Sequence, residues 1–213
     1  MPMHEEAMRH LARRDRVMAG LIRKAGPCGL KPEPRRTPFQ SLVHAVAHQQ
    51  LNGTAAATIL GRFKALFPGR RFPRPEDIEA VGDDALRGVG LSRAKVAAIR
   101  DIAAKVRSGE IPGTMAIRRL TDDEVVERLT AARGVGRWTA EMLLMFQLGR
   151  PDVLPSDDFG VRSGFRIAYG REEMPRPREL LEFGERWRPH RTVAAWYLWR
   201  AVDLDRAARA KAR

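Results

Sequence analysis

The stretch Leu154-Pro155-Ser156-Asp157-Asp158-Phe159-Gly160-Val161-Arg162 sets two adjacent carboxylates just after a proline break, where an apolar-periodic segment begins that runs to about Tyr169. An Asp at the start of a helix is most often its N-cap. The same position also keeps a carboxylate ionised beside the positive end of the helix, where it can steady a developing cation or orient water. Residue type alone leaves open whether Asp157 or Asp158 has either role.

A second chemical segment, Leu129 to Met145, reads LTAARGVGRWTAEMLLM. One helix ends, a Gly134-Val135-Gly136 turn follows, and an amphipathic helix starts at about Arg137. Glycine at both turn positions admits dihedrals closed to other residues and lets the backbone approach another surface. The amides that open the next helix then offer a seat for phosphate. Arg133, Gly134, Val135, Gly136, Arg137 and Thr139 are the candidate contacts, and they suit a grip on a nucleic-acid backbone that does not read bases. A third segment, His48-Gln49-Gln50-Leu51-Asn52-Gly53, ends a predicted helix in a polar tip carrying one leucine, with Asn52 a candidate cap for the next helix.

The elements that position these residues are read as helices. Apolar residues recur at helical spacing in Leu42, Val43, Val46 and Ala47 and again in Val96, Ala97, Ile99, Ile102, Ala103 and Val106, and few stretches alternate with period two. Turn signals divide the chain into about ten helices, so the expected class is all-α. The Gly-Val-Gly turn is echoed at Gly88-Val89-Gly90, which reads equally as an ordinary helix–helix turn with Ser92 as the cap. Residues 1–38 are expected to form an N-terminal helix and a proline-rich strap, Lys31 to Pro38, packed on a core of residues 39–213.

Charge narrows the partner. The chain of 213 residues has 39 basic and 26 acidic side chains, a net +13, and 33 of the 39 cations are Arg. Such an excess suits a polyanion, and the guanidinium suits bidentate phosphate contacts. Cys28 is the only cysteine, which rules out a four-cysteine iron–sulfur cluster, a zinc ribbon and an intramolecular disulfide. The histidines His4, His10, His44, His48 and His190 are scattered, without the His-x-Glu or Cys-x-x-Cys pattern of a zinc deaminase. The N-terminus lacks the apolar core of a signal peptide and no apolar run approaches a bilayer span, so a soluble, cytoplasmic, nucleoid-associated monomer with no membrane partner is expected.

Hairpin and aspartate together resemble the helix-hairpin-helix-Gly/Pro-Asp superfamily of DNA glycosylases, and within it the 3-methyladenine DNA glycosylase II branch in its short form without an N-terminal β domain. The resemblance runs from about Phe39 to Asp203. It rests on Gly-Val-Gly-Arg-Trp-Thr-Ala at 134 to 140, on Leu-Pro-Ser-Asp-Asp at 154 to 158, and on Arg186-Trp187-Arg188-Pro189 followed by Trp196 and Trp199. It implies a bilobal helical fold with a cleft between lobes. Matching Asp-x-x-Val to Asp158-Phe159-Gly160-Val161 makes Asp158 the catalytic carboxylate. Trp138 and Trp199 would form the pocket for a cationic alkylated base, whereas Trp187 and Trp196 would be packing residues. Gln50 or Leu51 would be the wedge that fills the space of a flipped base in duplex DNA. The hairpin would hold a monovalent cation, Na+ or K+, on the main-chain carbonyls of Thr130, Ala132 and Val135, with no other cofactor. Trp138 stands where lyase-competent relatives carry a Schiff-base lysine, which implies hydrolysis without a lyase step. The rival reading is a non-catalytic helix-hairpin-helix DNA-binding module, in which neither Asp158 nor an aromatic pocket is required.

Overall fold

The helix spanning Pro38–His48 shows why this sequence folds as it does. Thr37 accepts the amide of Gln40, and the Gln40 side chain accepts the amide of Thr37 in return, a capping box with Pro38 at the first helical position. Behind that start, Phe39, Leu42, Val43, Val46 and Ala47 are all buried on one face, each large side chain contributing about 1.5–3 kcal/mol.

The computed structural model describes residues 4–51 and 53–212, and every regular element among them is helical. In chain order these are α1 (Glu5–Arg14), α2 (Arg16–Ala25), α3 (Pro38–His48), α4 (Gly53–Ala65), α5 (Pro75–Ala80), α6 (Asp83–Gly88), α7 (Arg93–Ser108), α8 (Thr114–Ile117), α9 (Asp122–Thr130) and α10 (Arg137–Leu143). A π-helical turn, Leu144–Leu148, continues α10. Then come α11 (Phe159–Ala168), α12 (Pro177–Gly184), a 3-10 turn at Glu185–Trp187, and α13 (Arg191–Lys211). No described helix is long and apolar enough to cross a membrane.

The chain divides into two compact units, the first made of the residues up to 32 together with those from 149 onward and the second of residues 33–148. This differs from the expected boundary at residue 38, because the N-terminal helices share a core with the C-terminal ones. The N-terminal segment also holds two helices rather than one. Asp15, only 7% exposed, ends α1 and caps α2, its Oδ1 accepting the amides of Val17 and Met18. Its Oδ2 accepts the Tyr169 hydroxyl at 2.5 Å and the Trp187 indole N–H at 3.0 Å. A periodicity argument passes over such a break, because a buried Asp at a helix junction reads as one more polar residue.

Within this first unit, α11 lies directly on α13. A Cβ on Gly164 would stand 1.9 Å from the Leu198 carbonyl oxygen, so only glycine allows this approach. Phe165, Tyr169, Phe183 and Trp187 form an aromatic cluster beside it, with centroid separations of 4.4 Å for Phe165–Tyr169 and 5.5 Å for Phe183–Trp187. In the second unit α7 is central, packing against α3 and α5 through its buried residues Val96, Ile99, Ile102 and Ala103. From Glu33 onward the proline strap belongs to this unit. The Glu33 amide donates to the Phe146 carbonyl at 2.7 Å, and Gln147 Nε2 donates to the Arg36 carbonyl at 2.6 Å, both reaching the π-helical turn.

Candidate active site and nucleic-acid interface

Of the two adjacent carboxylates, Asp158 is the one built into the fold. It is the N-cap of α11, its Oδ1 accepting the Val161 amide at 2.7 Å, whereas Asp157 is exposed on the turn before it. The same Oδ1 accepts the indole N–H of Trp199 at 2.8 Å. Gly160 makes that contact feasible, since a Cβ there would stand 2.8 Å from Trp199 Cδ1 and 3.1 Å from Asp158 Oδ1. The expectation of a helix cap therefore holds for Asp158, whose carboxylate is also held by the Val161 amide and the Trp199 indole. A group held in this way meets a developing charge without having to reorganise.

Trp199, expected to offer an aromatic face to a base, directs its N–H edge at Asp158, so its ring is anchored to the carboxylate. Trp187 is fully buried, and Trp196 packs edge-on against Tyr197 at 4.9 Å, as expected for packing residues. Trp138, in the other unit, is 47% exposed on the first turn of α10. Phe146, 39% exposed in the π-helical turn, and Phe159, 72% exposed one residue after Asp158, are surface aromatics that the sequence reading did not single out. Their signal was present in Asp158-Phe159, an aromatic at the first position of a helix where polar residues are usual.

The hairpin is formed as expected, α9 and α10 joined through Gly134, whose φ of +75° calls for glycine. Its donors, however, are not all available. The Arg133 amide donates to Asp101 Oδ2 at 2.7 Å, and the Val135 amide donates to the Ala132 carbonyl at 3.1 Å. Gly134 and Gly136 are exposed, and their amides bond to no group among the described residues. Thr139, named for contact with a DNA backbone, is only 5% exposed in α10. Arg133 and Arg137 are exposed, the latter leaning on buried Glu141 at 3.1 Å. Among the carbonyls named for a cation, that of Ala132 already accepts the Val135 amide, which leaves its second lone pair. These are neutral, hard oxygen donors, and that chemistry fits a monovalent ion.

The tip of the loop after α3 is strained. Gln50 has a φ of +58°, a left-handed conformation that costs a non-glycine residue about 1–2 kcal/mol, and Leu51 beside it is 39% exposed. Asn52 lies outside the described residues.

All-helical architecture, a Gly-x-Gly hairpin and a braced helix-capping aspartate are together on the chain. The sequence pattern of the HhH-GPD superfamily of base excision DNA repair proteins matches residues 43–189, and the chain belongs to that superfamily. Among the relatives it resembles are proteins named 3-methyladenine DNA glycosylases. It is 41% identical over 170 residues to DNA-3-methyladenine glycosylase 1 of Schizosaccharomyces pombe, which covers 80% of this chain and 75% of the relative. A structure of the 3-methyladenine DNA glycosylase of that yeast in complex with abasic DNA superposes with a TM-score of 0.81 at 38% identity, over 91% of this chain and 95% of the other. DNA-3-methyladenine glycosidase of Bacillus halodurans also gives 0.81, at 39% identity over 90% and 86%.

Proposed function

We propose that the protein is a monofunctional DNA glycosylase of base excision repair, which takes an alkylated base such as 3-methyladenine or 7-methylguanine out of duplex DNA and hydrolyses its N-glycosidic bond. The observation that carries this reading is the carboxylate of Asp158, capping α11 and braced by the Val161 amide and the Trp199 indole. As the bond to the base lengthens, positive charge grows on the sugar, and an ionised carboxylate beside it lowers the barrier. The bonding electrons leave with the base. A purine alkylated at N3 or N7 carries a positive charge and departs neutral, so no acid is needed to protonate it. Water adds to the sugar carbon, and its proton passes to Asp158 or to solvent.

Binding precedes this chemistry. The exposed Gly134 and Gly136 amides, with Arg133 and Arg137, address phosphates and leave the base sequence unread. Leu51, or its neighbour Gln50, fills the gap left by the flipped base and offsets the loss of stacking. Trp138 offers an electron-rich face to the cationic lesion. The hairpin carbonyls of Thr130, Ala132 and Val135 would seat a monovalent cation, whose charge would add to the attraction for phosphate. With Trp138 rather than lysine beside the hairpin, the nucleophile is water and the product an intact abasic site.

The test uses duplexes that each carry one defined lesion, assayed with and without alkali and with borohydride. Strand breaks only after alkali, and no trapped protein–DNA adduct, are expected. An efficient borohydride adduct would show an amine at work and defeat the monofunctional reading. Binding of every duplex with release of no base would favour the non-catalytic DNA-binding module instead.

A further inference from the structure

The earlier Gly-Val-Gly turn, at Gly88-Val89-Gly90, leads into α7, where Ser92 caps the helix by accepting the Lys95 amide at 3.3 Å. Lys95 is one of only six lysines in a chain with 33 arginines. Its ammonium donates to two carbonyls at the end of α3, those of Ala47 and Gln49, each at 2.9 Å. Helix C-termini leave such carbonyls without partners and carry partial negative charge, so a cation there both satisfies and fixes them. The residues that follow are Gln50, in its strained conformation, and Leu51.

The same helix touches the phosphate-gripping hairpin. Ala98, three residues after Lys95, lies where a Cβ on Gly134 would come within 3.2 Å of its own Cβ. Asp101, three residues further, accepts the Arg133 amide at 2.7 Å. Lys95, Ala98 and Asp101 thus form a stripe along one face of α7 at i, i+3 and i+6. A direct strut closes the triangle, since Gln49 Nε2 donates to the Gly134 carbonyl at 2.8 Å. Loop tip, α7 and hairpin are held in one register.

We infer that Lys95 is the positioning residue of the base-displacing loop: by clamping the Ala47 and Gln49 carbonyls it sets the height of Gln50 and Leu51 relative to the hairpin that grips phosphate. This deepens the proposed function and rests on its reading of Gln50–Leu51 as the wedge. A hairpin seated on the backbone then presents the tip at a fixed distance from the base stack, and the search along DNA and the probing of each base become one rigid operation.

The test uses the full chain and a duplex containing a tetrahydrofuran abasic analogue with 2-aminopurine placed opposite it, whose fluorescence reports wedge insertion. A second duplex carries 7-methylguanine for single-turnover excision. Lys95→Met keeps most of the length of the side chain and deletes the two bonds. It is expected to lower both the insertion signal and the excision rate by about 10-fold or more, while affinity for undamaged duplex stays close to wild type. Lys95→Arg should restore most of the loss, and Lys105→Met, which removes an ion pair with Glu110 further along the same helix, should leave both the insertion signal and the excision rate unchanged. Adding Lys95→Met to Leu51→Ala should cost little beyond Leu51→Ala alone, because a positioning residue has no effect once the group it positions is gone. An intact insertion signal in both Leu51→Ala and Gln50→Ala proteins would overturn the wedge reading itself. A lost signal in Leu51→Ala beside a normal one in Lys95→Met would overturn the positioning role alone. Additive losses, or equal weakening of damaged and undamaged binding, would reduce Lys95 to a structural contact and overturn the inference too.

Discussion

Because Asp158 both caps α11 and supplies the proposed catalytic charge, two substitutions at this position separate the roles. Asn is as good an N-cap as Asp and can still accept the Val161 amide and the Trp199 N–H through its carbonyl oxygen. Asp158→Asn should therefore lose only the charge–dipole contribution, about 0.3–1 kcal/mol, and at most little of the affinity for duplex. Asp158→Ala deletes the acceptor altogether. It loses the cap, about 1 kcal/mol, and a hydrogen bond from Trp199 to a charged group, about 1.5–3 kcal/mol if fully buried. Since the site is only part-buried, the lower end applies. Asp158→Ala should thus be about 2 kcal/mol less stable than Asp158→Asn, which for a chain of this length is roughly 4–8 °C in Tm. Excision of a single 7-methylguanine should fall by ~10²–10³ or more in both. Equal melting temperatures for the two variants would refute the cap-and-indole geometry. An Asp158→Asn protein that still releases the base at near the wild-type rate would refute the need for the charge, and an inactive Asp157→Asn would move the chemistry to the neighbouring residue.

Four further outcomes follow from the same contacts. Gly164→Ala should sharply destabilise or unfold the protein, because its Cβ would stand 1.9 Å from a backbone oxygen of α13 that cannot swing away; a Tm within a degree or so of wild type would contradict the close helix crossing. Asp15→Ala removes the shared acceptor of two amides, a Tyr hydroxyl and an indole, and should cost about 3–5 kcal/mol in denaturant unfolding, as breaking a buried charged network does. Duplex affinity should fall with salt, log K against log salt having a slope of roughly −4 to −5 for about four to six neutralised phosphates, and a flat plot would remove the backbone grip. Burial together with Arg36, Lys64 and His48 pushes the His44 imidazole down to about 4. The unfolded chain then takes up this proton first as pH falls, so the associated stability is present above about pH 6.5 and is lost progressively towards pH 4. His44→Phe, stacking on Phe72 as His44 does, should flatten that part of the stability profile, and an unchanged slope would exclude His44 as its source.

Much of this protein is encoded over short stretches of chain. Helical class, the Thr37 capping box and the Gly-Val-Gly hairpin are each set within about four residues, by periodicity, caps and glycine dihedrals, whereas local residue type does not tell Asp158 from Asp157. Sequence could therefore determine which residues are candidates, and the backbone pattern of Asp158 to Val161 survives unchanged in the fold. What it could not determine were contacts whose partners lie far apart along the chain. Trp199 meets Asp158 across 41 positions, Gln49 meets Gly134 across 85, and Trp187 meets Asp15 across 172. No local rule chooses among such pairings, since any of several indoles or amides could reach a carboxylate or carbonyl until helix packing selects one. For the same reason the Trp199 brace on Asp158 and the burial of Thr139 were not expected, and the chain divides after residue 32 rather than 38. Tertiary structure decided which groups face each other, because packing α11 on α13, and the hairpin on α7, leaves room for only one arrangement of the side chains between them.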